Sequence, residues 1–155
     1  MDEQTGLQEI VAEITNALAT VKHDRWQLCW LNQGRLWIIA DQRRPGLVPG
    51  ARCTRLTSLA RACILDRCPV TVNNVFPPES SEPLRDWELD WPSLVYAPVA
   101  SPRRRPNGLL LLGCRSLQWY ETSELTFLAD LGEVVAPWLR RFVLSQRIGQ
   151  RRKAA

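Results

Sequence analysis

Residues 93–113, SLVYAPVASPRRRPNGLLLLG, hold two apolar runs separated by a short segment rich in Pro and Arg. The runs cover residues 93–100 and 109–114, and the turn residues between them lie at 102–108. Apolar runs of this length bounded by Pro, Asn and Gly are typical of two β-strands joined as a hairpin. Strands joined by a short turn run antiparallel, so this stretch predicts an antiparallel sheet.

More strands are predicted upstream of this hairpin. Residues 26–31 and 36–40 are rich in aromatic and β-branched side chains, and Asn32-Gln33-Gly34 between them is a hairpin turn. Residues 70–75 predict another strand after Pro69, which ends the preceding helix.

Three segments predict helices. Apolar residues recur at helical spacing over residues 2–22, from Leu56 to Ile64, and over 122–148, where Pro137 is expected to kink the helix. The order is helix, hairpin, helix, strand, long loop, hairpin, helix. The fold class is therefore α+β, with both terminal helices on one face of the sheet and the middle helix and long loop on the other.

The composition indicates one domain, residues 1–155, in the cytoplasm. Residues 1–20 have no basic region typical of a signal peptide, and the apolar run 109–112 is too short to span a membrane. The net charge is +4, with bases in the turn 103–105 and in the C-terminal tail. These bases are not joined to a nucleic-acid reading motif or to base-stacking aromatics, so nucleic acid is not an expected partner.

Three stretches resemble the GAF domain family of signalling proteins: LARACILDRCPVTVNNV (59–75), SLVYAPVASPRRRPNGLLLLG (93–113) and WYETSELTFLADLGEVVAPWL (119–139). The resemblance implies a GAF/PAS-like antiparallel sheet of five or six strands. It also implies a pocket on the face opposite the terminal helices, roofed by residues 76–92, and a homodimer formed through those helices. The sheet and pocket are expected within residues 25–116.

The ligand of this pocket is unknown, but the resemblance implies which residues line it. They are Trp37, Val72, Asn74, Phe76, Trp87, Trp91, Ser93 and Tyr96. The segment 76–92 is acidic and contains Trp87 and Trp91, a composition that fits a lid over a ligand. It also fits a loop whose Trp side chains plug the core.

Five cysteines leave a second hypothesis open. Cys53, Cys63 and Cys68 are candidates for a redox pair, an iron–sulfur cluster or the site of a GAF-type methionine sulfoxide reductase. Against this, Cys63 falls on the apolar face of its predicted helix, where free Cys behaves as a small hydrophobe. The family's bilin-attaching members usually carry a Cys-His pair in this region, and the sole His here, His23, lies far from it.

Enzyme motifs are absent from the sequence. There is no phosphate-binding loop, no dinucleotide fingerprint and no pair of His residues at metal-ligand spacing. The sequence predicts a sensory or regulatory domain that binds a small ligand or a signalling protein and is not an enzyme. Two alternatives remain, the cysteine-based sensor or reductase and a degenerate GAF domain that only binds another protein.

Overall fold

The computed structural model describes residues 3–42, 53–73, 92–116 and 118–154. Within them the chain forms three α-helices and six β-strands. In chain order these are α1 (Glu3–Ala17, followed by a 3-10 turn, Leu18–Thr20), β1 (Arg25–Asn32), β2 (Arg35–Asp41), β3 (Cys53–Arg55), α2 (Ser58–Asp66), β4 (Val70–Asn73), β5 (Ser93–Val99), β6 (Gly108–Cys114) and α3 (Thr122–Ala154).

The six strands form one antiparallel sheet in the order β3-β2-β1-β6-β5-β4. The two hairpins, β1–β2 and β5–β6, lie side by side because β1 pairs with β6. The β1–β2 pairing contains a bulge, where Leu28 faces Ala40 and Cys29 faces Ile38, so that Ile39 is an extra residue. The predicted α+β fold class is confirmed, and the six strands fall within the five or six that the resemblance implies.

One face of the sheet, the terminal-helix face, is covered by α1 and α3. Trp26, Leu28, Val95, Leu110 and Leu112 point from the strands into this core. The helices supply a matching set of buried side chains: Leu7, Ile10, Ile14 and Leu18 from the N-terminal segment and Leu128, Val135, Ala136, Leu139 and Phe142 from α3. The predicted placement of both terminal helices on one face is correct.

The opposite face, the α2 face, carries a smaller core. Ala60 and Cys63 of α2 pack there against Tyr96, Leu109 and Leu111. Thr57 begins α2 as its N-cap, since its hydroxyl accepts a hydrogen bond from the N–H of Ala60 at 3.2 Å. The helix ends at Arg67, whose backbone is left-handed.

Three features differ from the sequence predictions. The first α-helix ends at Ala17 and its 3-10 turn at Thr20, short of the predicted limit of residue 22. Strand β3 was not predicted, because three residues beside a Pro- and Gly-rich segment show no periodicity by themselves. Helix α3 continues through Pro137 and ends at Ala154, beyond the predicted limit of residue 148. It begins after Glu121, whose N–H is bonded to the Glu124 carboxylate at 3.0 Å, as in a capping box.

Candidate functional site

Helix α2 packs on β4 and β5, at one side of the α2 face. The side formed by β1 and β2 carries three polar side chains, those of Arg25, Gln27 and Asp41. Gln27 and Asp41 are directly opposite each other across the β1–β2 pair, and both are almost fully buried. This arrangement is unusual within a sheet, because a buried polar group costs free energy unless it is hydrogen-bonded.

The three polar groups satisfy one another. Arg25 donates from Nε to Asp41 Oδ1 at 3.0 Å and from Nη2 to Asp41 Oδ2, so the two side chains form a bidentate ion pair. Gln27 Nε2 donates to the same Asp41 Oδ2 at 2.6 Å. Asp41 is thus the acceptor at the centre of the group, and the Arg25 side chain extends from it toward solvent with 17% of its surface exposed.

Beside this polar group, the α2 face is apolar. Cys29 follows Gln27 on the same face of β1, and Leu109 and Leu111 of β6 lie next to it. Tyr96 of β5 stands opposite Leu111 and is almost fully buried. An apolar floor with a few fixed polar groups is the usual composition of a small-molecule site, and here the sheet supplies both.

Sequence reasoning missed Arg25, Gln27 and Asp41. A signal was present, since Arg25, Gln27 and Cys29 alternate with Trp26 and Leu28 along β1. Alternation of this kind places the polar residues together on one face. What the sequence did not show is that Asp41, at the end of the next strand, falls opposite Gln27, because that register depends on the bulge at Ile39.

Two of the predicted pocket residues lie on the α2 face. Tyr96 is part of its core, and Val72 is opposite Leu94, two residues along β4 from Val70, which packs against that core. Four others, Asn74, Phe76, Trp87 and Trp91, lie outside the described residues.

The structure separates Trp37 and Ser93 from this face. Trp37 is the cross-strand neighbour of Trp30, which packs against the core under the terminal helices. Ser93 is two residues from Val95 on the terminal-helix face; its hydroxyl donates to Asn73 Oδ1 at 2.8 Å and accepts from the Gln118 N–H at 2.9 Å. Both residues lie away from Tyr96 because side chains alternate along a strand.

The cysteine candidates fall in different environments. Cys63 is fully buried, and its thiol donates to the Tyr96 carbonyl at 3.5 Å. Burial raises the pKa of the Cys63 thiol to about 12, and the nearby Cys68 and Asp66 act in the same direction. Cys68 is exposed, and Cys53 lies in β3. Cys63 is therefore a neutral core thiol, as its helical position predicted.

Cys29 is also a core thiol. Burial, with the adjacent Asp41 carboxylate, raises its pKa to about 12. Across the part of the chain that the structure describes, no group of three His, Cys, Asp or Glu side chains is arranged to hold a metal ion. Within the same residues, no helix combines the length and the apolar character needed to cross a membrane.

Solved structures of GAF domains superimpose on most of this chain. The GAF domain of a two-component sensor histidine kinase from Bacillus halodurans superimposes with a TM-score of 0.67 at 19% identity, over 90% of this chain and 97% of that one. The GAF domain from an Acinetobacter phosphoenolpyruvate-protein phosphotransferase covers 97% of this chain and 99% of its own, with a TM-score of 0.61 at 15% identity. The chain has the GAF-domain fold.

The same fold also occurs in an enzyme among these structures. The type II free methionine-R-sulfoxide reductase from Thermoplasma acidophilum has a TM-score of 0.67 at 17% identity, over 92% of this chain and 97% of that one. No protein-family model matches the sequence, and no curated protein matches it. For a GAF fold with relatives this distant, function has to be argued from the site.

Proposed function

We propose that this chain is a sensory or regulatory GAF-like module, located in the cytoplasm, that binds a small ligand on the α2 face. Its structural neighbours include the GAF domains of sensor and signalling proteins, which supports the sensory role. The observation that carries the proposal is the buried group formed by Arg25, Gln27 and Asp41 beside an apolar floor. The ligand is expected to be small, largely apolar and provided with a hydrogen-bonding group for the Arg25 end.

The proposed signal passes through the sheet to the terminal helices. Strands β1 and β6 have the candidate site on one face and the core under α1 and α3 on the other, so a shift in either strand moves both. Ligand binding would favour one packing of the terminal helices over another, which is a population shift. Residues 76–92 are proposed as the lid of the site.

The terminal helices are also the proposed dimer contact. Helix α3 exposes Phe127, Val134 and Leu144 within the described residues, although most of its other apolar side chains are buried. Their spacing of seven and ten residues keeps them within one broad stripe of the helix surface. A second copy of α3 would cover this stripe.

The cysteine alternative now depends on Cys68. Cys63 is buried with a raised pKa, which disfavours the thiolate needed for metal binding or nucleophilic attack. Cys68 is exposed, and the similarity to a methionine-R-sulfoxide reductase keeps a redox function as the second candidate. This redox function requires Cys68 to react with a second thiol. Of the three cysteines considered, Cys53 is the remaining candidate for that second thiol.

The degenerate-domain alternative depends on Trp87 and Trp91. Trp26, Trp30 and Trp138 pack on the terminal-helix face, and Trp119 is 80% exposed, so none of these fills the α2 face. If the chain fills its own pocket, the side chains of Trp87 and Trp91 are the ones expected to fill it.

A native mass spectrum of the purified protein, followed by a thermal-shift screen of small molecules, tests the proposal. A ligand that binds the native state alone raises Tm as its concentration rises above Kd. We expect Gln27→Leu to abolish the shift, because it removes a polar group at the site and keeps the side-chain volume. Ser93→Ala, on the other face, should lower Tm and leave the ligand-induced shift intact.

Equal ligand-induced shifts in wild type and Gln27→Leu would contradict the placement of the site. If no small molecule shifts Tm and replacing both Trp87 and Trp91 by Ala creates binding, the degenerate-domain alternative is correct. If oxidation consumes two free thiols in wild type and this loss requires Cys68, the result would instead support the redox alternative.

A further inference from the structure

Five arginines lie near Ser101, at the end of the sheet where β5 turns into β6: two bind it through their side chains and three follow it in the turn. They come from the end of α2, from the turn itself and from α3, and we call them the arginine patch: Arg67, Arg103, Arg104, Arg105 and Arg140. Arg67 Nη2 donates to the Ser101 carbonyl at 3.3 Å, and Arg140 Nη2 donates to the Ser101 hydroxyl at 3.0 Å. Since α2 and α3 lie on opposite faces of the sheet, Ser101 joins two guanidinium groups from opposite sides.

Within the part of the chain that the structure describes, the patch takes part in no ion pair. Arg67 and the three arginines of the turn are exposed, and Arg140 is half-buried. Among the described residues no carboxylate forms an ion pair with any of these five arginines. This includes Asp66, which precedes Arg67 in the chain. Gathering like charges at one place without ion pairs to balance them disfavours the folded state, which makes the patch a feature that packing alone does not explain.

The backbone conformation of two patch residues, Arg67 and Arg103, is a further feature that packing alone does not explain. Arg67 has φ +54° at the end of α2, and Arg103 has φ +62° in the turn. The Arg104 N–H donates to the Ser101 carbonyl at 3.1 Å, and Pro102 precedes Arg103, so residues 101–104 form a type II turn. Glycine is the preferred residue at both positions, because a β-carbon disfavours the left-handed region. Two strained positions in one patch are thus occupied by arginine.

We infer that the arginine patch is a docking surface for an acidic segment of a partner protein. Arginine suits this role because its planar guanidinium binds carboxylates through two parallel hydrogen bonds. The five arginines come from three separate elements, which fits several separate carboxylates better than a single phosphoryl group. The patch itself contains no aromatic side chain on which nucleic-acid bases would stack.

An exposed apolar residue supports a protein partner. Leu65, two residues before Arg67, is 73% exposed at the end of α2. A polypeptide can place an apolar side chain on Leu65 and carboxylates on the arginines beside it, which is the usual combination in a protein interface. The surface lies at the turn end of the sheet, apart from the group formed by Arg25, Gln27 and Asp41 at the other end of β1.

Fluorescence anisotropy with a labelled oligoglutamate peptide tests the inference on the full chain. We expect binding that weakens as salt is raised, because exposed charges are screened. Arg67→Gly and Arg103→Gly should each weaken binding by about three- to fivefold, the range of one exposed ion pair. Because both remove a β-carbon from a left-handed position, Tm should stay the same or rise.

Two control variants separate charge from strain. Gln33→Gly relieves the same backbone strain in the β1–β2 turn (Gln33 has φ +52°) without removing a charge, and it should bind the peptide as wild type does. Lys22→Gln removes one exposed positive charge outside the patch and should also bind normally. If the glycine variants unfold, Arg104→Gln with Arg105→Gln replaces them as the patch variant.

Normal peptide binding by the patch variants would overturn the inference. Tighter binding of wild type to oligodeoxythymidine or to vesicles containing phosphatidylserine than to the peptide would also overturn it, because the surface would then serve another class of partner. Loss of peptide binding in the patch variants alone, with both controls unchanged, would support it.

Discussion

Gly132 of α3 lies against the carbonyl group of Pro98 in β5, with no room for a side chain between them. A β-carbon built on Gly132 would overlap the Pro98 carbonyl oxygen and lie 3.1 Å from its carbonyl carbon. This contact brings the helix close to the sheet, and Val99 and Val135 beside it are both buried in the terminal-helix core.

Gly132→Ala should therefore destabilise the protein. Alanine in an exposed helix stabilises it by about 1 kcal/mol relative to glycine, but overpacking against fixed backbone costs roughly 1–3 kcal/mol or more. We expect a net loss of about 2 kcal/mol in the free energy of unfolding, measured by urea denaturation. Thr126→Ala, on the exposed side of α3, is the matched control and should be neutral or slightly stabilising. A stabilised Gly132→Ala variant would show that α3 does not approach β5 this closely.

Ser93→Ala should lower stability because Ser93 connects three segments. Its hydroxyl bonds Asn73 of β4 and the N–H of Gln118 before α3, and it is almost fully buried. Leaving a buried partner unpaired costs about 1–3 kcal/mol. Ser116→Ala, at an exposed position, is the control for the loss of a hydroxyl. Thermal unfolding of the two variants is the measurement, and equal Tm values would contradict the structural role of Ser93.

The Arg25–Asp41 pair should show strong coupling in a double-mutant cycle. Asp41→Ala removes the acceptor that the Arg25 guanidinium and the Gln27 amide share, and removing one partner of a buried pair costs roughly 3–5 kcal/mol. Replacing both, as Arg25→Met with Asp41→Ala, should recover part of this loss because the two charges of the pair are removed together. Additive effects of the two replacements, measured by denaturant unfolding, would mean that the pair does not form.

The cysteines should differ sharply in reactivity. The thiolate is the reactive form, and the raised pKa of about 12 for Cys63 and Cys29 keeps both thiols protonated near neutral pH. Iodoacetamide at mildly alkaline pH should modify the exposed Cys68 and leave Cys29 and Cys63 unmodified, as measured by peptide mass spectrometry. Rapid labelling of Cys63 in the folded protein would restore it as a redox candidate.

The same two thiols predict how stability depends on pH. Their pKa is higher in the folded state, so above the ordinary thiol pKa the unfolded chain loses protons that the folded chain keeps. Stability is therefore lost as pH rises from about 9 toward 12, by about 1.4 kcal/mol per pH unit for each thiol. The loss should be smaller in Cys63→Ala than in wild type when Tm is followed over this range. Parallel curves for the two proteins would refute it.

The sequence by itself determined the layers of this fold. Helical spacing from Leu7 to Leu18 and the aromatic and β-branched runs at 26–31 and 36–40 are local patterns, and each depends only on the backbone geometry of its own element. The two hairpins followed from short turns, because adjacent antiparallel strands need no distant information. These signals were sufficient to place both terminal helices on one face of the sheet.

The site was decided by tertiary structure. Whether Ser93 or Tyr96 faced the α2 side depended on strand register, and a shift of one residue exchanges the two faces. Asp41 meets Gln27 only because the Ile39 bulge sets the pairing of β1 with β2. The arginine patch likewise combines Arg67 and Arg140 only because Ser101 lies between the end of α2 and the middle of α3, which are far apart in sequence. Long-range pairing is not encoded in local periodicity, and so these contacts appear only in the folded chain.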